Sequence, residues 1–131
     1  MPDGPKIGSV YELRFRVKPE HTISLAGESL PPILATPWLI WFMEHAALEL
    51  VQPFLNSGEI TVGTHVDIEH LAGALLNEDV ICSARLIHSE GRSYSFRIQA
   101  DVRGDCLAKG IHKRRVVKLQ RLAERLRQKR S

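Results

Sequence analysis

The stretch TPWLIWFMEHAALELVQPF, residues 36–54, constrains the chain more than any other, being the longest run without a turn signal and the most apolar. Its ends read as helix ends. The Thr36 hydroxyl can cap a helix, and Pro37 suits the first turn, where its missing N–H has no partner to lose. Pro53 closes the far end, because the residue before a proline is pushed out of helical geometry. Between them Trp38, Leu39, Ile40, Trp41, Phe42, Met43, Ala46, Ala47, Leu48, Leu50 and Val51 point in nearly every direction. That pattern predicts a central helix wrapped by other structure.

Two kinds of polar residue interrupt this helix. His45, Glu49 and Gln52 follow i, i+4, i+7 and form one narrow stripe, suited to solvent or to a seam against a partner. Glu44 has Pro37, Ile40, Trp41, Ala47, Leu48 and Val51 as its helical neighbours and so lies on an apolar face. A carboxylate there is expensive to bury alone; it tucks against an arginine, escapes to the helix edge, or has a chemical role.

The chain of 131 residues predicts one domain, residues 1–131. Its net charge of +3 resides in the tail: residues 119–131 hold five basic and one acidic residue, and the remainder carries 13 basic against 14 acidic. The body therefore gives no case for nucleic acid. Glu44, His45 and Glu49 argue against a membrane-spanning role for the central helix, and no secretion signal is recognisable. Cys82 and Cys106 lack the paired spacing of zinc or redox sites, so a reducing cytoplasm is expected.

Around the helix the sequence reads as strands. Residues 9–17 alternate from Tyr11 onward, and residues 18–32, with Pro19, Gly27, Pro31 and Pro32, form a long connection suited to a lid or to a surface excursion. After a turn at Asn56, Ser57 and Gly58, residues 61–73 alternate again. Val66, Ile68 and His70 take one side, and His65, Asp67 and Glu69 take the other. His70 thus falls on an apolar face, where a histidine is either a satisfied core residue or a functional one. The opposite face reads as solvent-exposed rather than as metal ligands.

Residues 79–88 and 93–102 form a hairpin, and residues 106–119 form a last strand interrupted by Gly110. Strand, buried helix, then four strands predicts an α+β fold, an antiparallel sheet curled around one long helix. Such a sheet exposes an edge that a second copy can pair with. Leu119, Leu122 and Leu126 then mark a short basic amphipathic helix at the C-terminus.

Three strings, LATPWLIWFMEHAAL, VGTHVDIEHLA and GIHKRRVV, occur in that order between Leu34 and Val117. They resemble the hot-dog-fold acyl-CoA thioesterases, in particular the fluoroacetyl-CoA thioesterase-like branch, over roughly residues 9–119. The resemblance implies a homodimer, or a higher oligomer built from it, with active sites at the interface between the long helices. It implies an acyl-CoA substrate, coenzyme A as part of that substrate, and no metal or other cofactor. By matching positions, Thr36, Glu44 and His70 are the expected catalytic residues, and Arg114, Gly63 and Thr64 are expected to bind substrate. Glu44 would attack the thioester carbonyl or activate a water, His70 would shuttle the proton, and Thr36 with the helix N-terminus would stabilise the oxyanion.

The sequence departs from the branch before the helix, where it reads GESLPPIL without the aromatic lid residues, so an acyl group other than fluoroacetyl is expected. The alternative is a non-catalytic acyl-CoA-binding sensor or interaction domain. A hydratase on the same fold would need a further acid/base pair, which the sequence does not offer. Since Thr36 and Glu44 lie eight residues apart on one helix, about 12 Å along its axis, each site is expected to take Thr36 from one chain and Glu44 from the other.

Overall fold

The computed structural model describes residues 4–130. Strand β1 (Val10–Arg16) is followed by two short strands, β2 (Thr22–Ile23) and β3 (Ile33–Leu34), helix α1 (Thr36–Val51), and four long strands. These are β4 (Glu59–His70), β5 (Asp79–Glu90), β6 (Ser93–Val102) and β7 (Asp105–Lys118), after which helix α2 (Leu119–Arg130) begins. The long strands and β1 form one antiparallel sheet in the order β1-β5-β6-β7-β4. α1 touches all five strands, β5 and β1 most extensively, as a sheet curled around a helix requires. The predicted α+β hot-dog architecture is what the chain adopts.

The helix is less enclosed than its composition suggested. Leu39, Met43, Ala46, Ala47, Leu50 and Val51 are buried against the sheet, whereas Trp38 and Trp41 are exposed on the other side. Within one chain the sheet covers only half of the helix. Helical geometry proper ends at Val51, and a 3₁₀ turn over Gln52–Phe54 accommodates Pro53. The helix N-cap is Ala35 and no side chain caps it, so Thr36 is not a cap; it is the first helical residue and its hydroxyl is free for another partner.

The long connection is tied down at both ends. β2 pairs with β3 (Thr22 with Leu34, Ile23 with Ile33), and His21 is buried among Phe15, Trp38 and Phe42. The backbone of His21 accepts the Ala35 N–H at 2.8 Å, which fixes the start of α1. Phe15 and Phe42 stack in parallel, locking α1 onto β1.

Gly110 does not interrupt the last strand. β7 runs straight through it opposite Ile68, because β4 passes so close that a Cβ there would meet the Asp67 carbonyl at 2.0 Å. Here glycine permits a close approach of two backbones. Strand β4 carries a bulge between Gly63 and His65, with Thr64 the unopposed residue, and has only β7 as a neighbour. Its other edge is open, and among the described residues nothing pairs with it. α2 packs on the sheet less fully than its leucines suggested: Leu122 is half-buried, while Leu119 and Leu126 are exposed.

Candidate active site

Two polar clusters form, one at each end of the α1–β4 contact. The first joins the beginning of α1 to the end of β4. The Thr36 hydroxyl and His70 Nδ1 lie 2.7 Å apart. The two segments are held together nearby, where the Leu34 N–H donates to the Ala74 carbonyl and Ile33 bridges to Leu75. His70 Nε2 is buried and has no hydrogen-bond partner among the described residues. Burial lowers the His70 pKa, with the Ala72 backbone working in the opposite direction. The ring is therefore neutral at pH 7 and can exchange a proton with Thr36. With the proton on Nδ1, the ring donates to Oγ1 and frees the hydroxyl hydrogen; in the other tautomer the hydroxyl donates to the ring. Unpaired N–H groups of the first helical turn and the positive end of the helix dipole lie beside this hydroxyl.

The second cluster lies eight residues further along α1. The Glu44 carboxylate, with 37% of its side chain exposed, is 3.6 Å from Arg114 Nη1. Arg114 is 5% exposed, and its guanidinium is held by Thr61: Nε donates to Oγ1 at 2.9 Å and Nη2 to the backbone carbonyl at 2.8 Å. Nη1 also donates to His112 Nε2 at 3.2 Å, while His112 Nδ1 donates to the His65 carbonyl at 2.8 Å. These two bonds fix the neutral tautomer of a fully buried imidazole. Its pKa is lowered, first by desolvation and then by the Arg114 charge, against the opposing His65 carbonyl and Glu44.

Gly63 completes this cluster. A Cβ there would stand 3.2 Å from His112 Cε1 and 3.4 Å from both Arg114 Nη1 and Glu44 Oε2. The bare backbone thus leaves room beside the carboxylate. Thr64, at the bulge, points elsewhere and donates to the Lys113 carbonyl at 3.2 Å.

Of the residues singled out in the sequence, Thr36 and His70 meet, and Glu44, Gly63 and Arg114 meet. Among the described residues no hydrogen bond or ion pair joins the two groups, since α1 and β4 run in opposite directions and separate them. His112 and Thr61 were missed. The signal for His112 was available: it shares a strand face with Arg114, two residues on, just after the close-approach Gly110. Among the described residues no group of three or more His, Cys, Asp or Glu is placed to hold a metal ion, and no helix is long and apolar enough to cross a membrane.

A hot-dog sheet around one helix, with a hydroxyl–imidazole pair at the helix start and a carboxylate further along, defines the class of hot-dog-fold thioester hydrolases. Residues 17–120 match the family of fluoroacetyl-CoA-specific thioesterases. The chain is 32% identical over 135 residues to a fluoroacetyl-CoA thioesterase of Streptantibioticus cattleyicolor, covering 98% of this chain and 97% of that protein. A solved structure of a fluoroacetyl-CoA thioesterase superposes with a TM-score of 0.89 at 30% identity, covering 97% of this chain and 98% of the other. A thioesterase superfamily member of Thermus thermophilus superposes with a TM-score of 0.87 at 27% identity, over 96% of this chain and 93% of the other. The chain belongs to the fluoroacetyl-CoA-specific thioesterase family.

Proposed function

We propose that the protein hydrolyses acyl-CoA thioesters at sites built from both chains of a homodimer, with Thr36 and His70 of one chain working with the partner's Glu44. The observation that carries this reading is the division of the site residues into two clusters, one at the start of α1 and one at its middle, each incomplete without the other. The open edge of β4 supports a way to unite them. If two copies pair antiparallel through this edge about a two-fold axis near Asp67, His70 lies three residues from the axis. Gly63 lies three residues away on the other side once the extra residue of the bulge, Thr64, is discounted. His70 then stands opposite the partner's Gly63, and with it the partner's Glu44 and Arg114.

In such a site the thioester carbonyl oxygen is received by the Thr36 hydroxyl and the first-turn N–H groups of α1. Glu44 supplies the attacking oxygen or takes a proton from the water that does. The new C–O bond gives a tetrahedral intermediate, which collapses by breaking the C–S bond. The Thr36–His70 pair then passes a proton to the departing thiolate and free coenzyme A leaves. Where water attacked, the acid leaves with it; where Glu44 attacked, a water next hydrolyses the acyl–glutamyl anhydride, breaking its bond to Glu44 and releasing the acid. No step calls for a metal or further cofactor. Arg114, anchored by Thr61, orients Glu44.

The protein of Streptantibioticus cattleyicolor is named for fluoroacetyl-CoA; here the segment before α1 carries Leu25, Leu30 and Ile33 and no aromatic. We assign this chain another acyl-CoA. Its two free cysteines suit a reducing cytoplasm: burial, aided by the Asp101 charge, pushes the Cys82 thiol up to about 12 and leaves it unreactive.

The test is thiol release from a panel of acyl-CoAs, comparing wild type with Glu44→Ala and Thr36→Ala. Loss of an oxyanion donor costs roughly 10²–10³ in kcat, the fall expected for Thr36→Ala; Glu44→Ala should fall at least as far while folding normally. Binding of acyl-CoA without thiol release from any member would favour the sensor alternative.

A further inference from the structure

A concave site lies between the end of β7 and α2. It is a cleft of about 620 Å³ lined by Arg92, Arg115, Lys118, Arg121 and Arg125, together with Leu122 and two valines. The cations come from separate elements. Arg92 belongs to the β5–β6 turn, which is held against β7 where the Val116 N–H donates to the Arg92 carbonyl at 2.8 Å. Arg115 and Lys118 come from β7 itself. Arg121 and Arg125 stand one turn apart on α2, whose first residue is pinned by its N–H to the Gly58 carbonyl at 2.9 Å.

This cleft is distinct from the acyl-transfer clusters. Arg115 follows Arg114 on a strand and so points to the opposite face of the sheet from the Glu44 cluster. Of the acidic groups around it, Glu59 pairs with Arg92 at 3.4 Å, while Glu124 accepts a hydrogen bond from the neutral Gln120 amide at 3.4 Å and keeps its charge. Arg115, Lys118, Arg121 and Arg125 have no acidic partner among the described residues. Four cations that make no salt bridge, against the single nearby charge of Glu124, repel each other around one volume, and an anion seated between them relieves that repulsion. Arginine forks match phosphoryl oxygens bidentately. The volume of this open cleft is that of a small-molecule site, within the roughly 300–1,000 Å³ such pockets span.

We propose that the cleft binds a nucleotide-sized polyphosphate, through Arg115, Lys118, Arg121 and Arg125. Two sources share that chemistry. One is the phosphate-rich nucleotide end of a coenzyme A thioester, which rests on the reading of the enzyme as an acyl-CoA thioesterase; the other is a free nucleotide, which does not.

The experiment is calorimetric titration of the full chain with inorganic pyrophosphate and with ADP at low salt, repeated with Arg121→Glu/Arg125→Glu. Both residues are exposed on α2, so the fold should survive; the neutral Arg121→Gln/Arg125→Gln pair provides a second variant. We expect both probes to bind the wild type, affinity to weaken with added salt, and the charge-reversed protein to bind at least ten-fold more weakly. Steady-state thiol release separates the sources: a raised KM at unchanged kcat in the variants identifies coenzyme A, and an unchanged KM identifies a free nucleotide. The proposal is overturned if neither probe binds wild type, or if the variants bind as well as wild type. It is also overturned if anionic phosphatidylglycerol vesicles or a single-stranded oligonucleotide bind tighter than ADP with the same sensitivity to the substitutions, since the surface would then be a macromolecular one.

Discussion

Replacing Arg114 by methionine tests whether the second cluster holds Glu44 in place. Methionine fills similar length without charge, so the change removes the guanidinium while leaving most of the packing. Two charge-assisted hydrogen bonds to Thr61 are lost, each worth about 1.5–3 kcal/mol. The Thr61 carbonyl also loses its donor. Against this, the desolvation cost of a nearly buried cation disappears, and Glu44 remains partly in water, so its ion pair counts for only about 0.5–1 kcal/mol. Breaking a buried pair by removing one partner costs roughly 3–5 kcal/mol; with Glu44 wet, the lower end, about 3 kcal/mol, is expected. For a chain of this length that lowers Tm by roughly 10 °C. Arg114→Lys should lose about half as much, because an ammonium keeps a charge near Glu44 but cannot span Thr61. Urea unfolding of the three proteins measures the stabilities, and thiol release should show kcat falling more than KM rises. A loss under about 1 kcal/mol for methionine, or equal losses for lysine and methionine, would refute the anchoring argument.

Three further outcomes follow from the same geometry. Gly63→Ala places a methyl group within 3.4 Å of Glu44 Oε2 and 3.2 Å of His112 Cε1, so activity should drop by roughly ten-fold or more with stability reduced by only about 1 kcal/mol; unchanged kcat would show that nothing needs the space beside the carboxylate. The His70 and His112 pKa values are both lowered, so the unfolded chain takes up protons below about pH 6.5 that the native state refuses. Stability should be full above that pH and decline as pH falls below it, and kcat should fall on the same acid side as His70 protonates; urea midpoints at pH 7.5 and 5.0 check the first, and His112→Gln should flatten the decline. Deleting residues 122–131 removes two half-buried residues, Leu122 and Ala123, and none that is buried among the described ones, so thiol release at saturating acyl-CoA should be largely preserved; collapse of the fold would show α2 to be part of the core.

The architecture was legible because its signals are local and periodic. Alternation in β1 and β4 and the hairpin turn at residues 89–92 gave strands to within a few residues, and the apolar run gave α1. What the pattern could not convey was how much of that run one chain covers: Trp38 and Trp41 have the composition of core residues but face outward. Thr36 looked like a cap because capping is the commonest use of a threonine before a helix; its hydroxyl goes instead to His70, a partner 34 residues away. Glu44 and His70 stood out as polar groups on apolar faces before any fold was known. The Arg114–Thr61–His112 support was hidden, since it depends on the register of β7 against β4, and a bulge at Thr64 shifts that register by one residue.

The central claim is that one reaction centre takes Thr36 and His70 from one subunit and Glu44 from the other. Mixing equal amounts of inactive Thr36→Ala and Glu44→Ala proteins under conditions of verified subunit exchange tests it directly. About half of all dimers become mixed, and each mixed dimer holds one site with both defects and one with neither. Thiol release should therefore recover to about a quarter of the wild-type rate. Exchange without recovery would mean that both residues serve a site within a single chain.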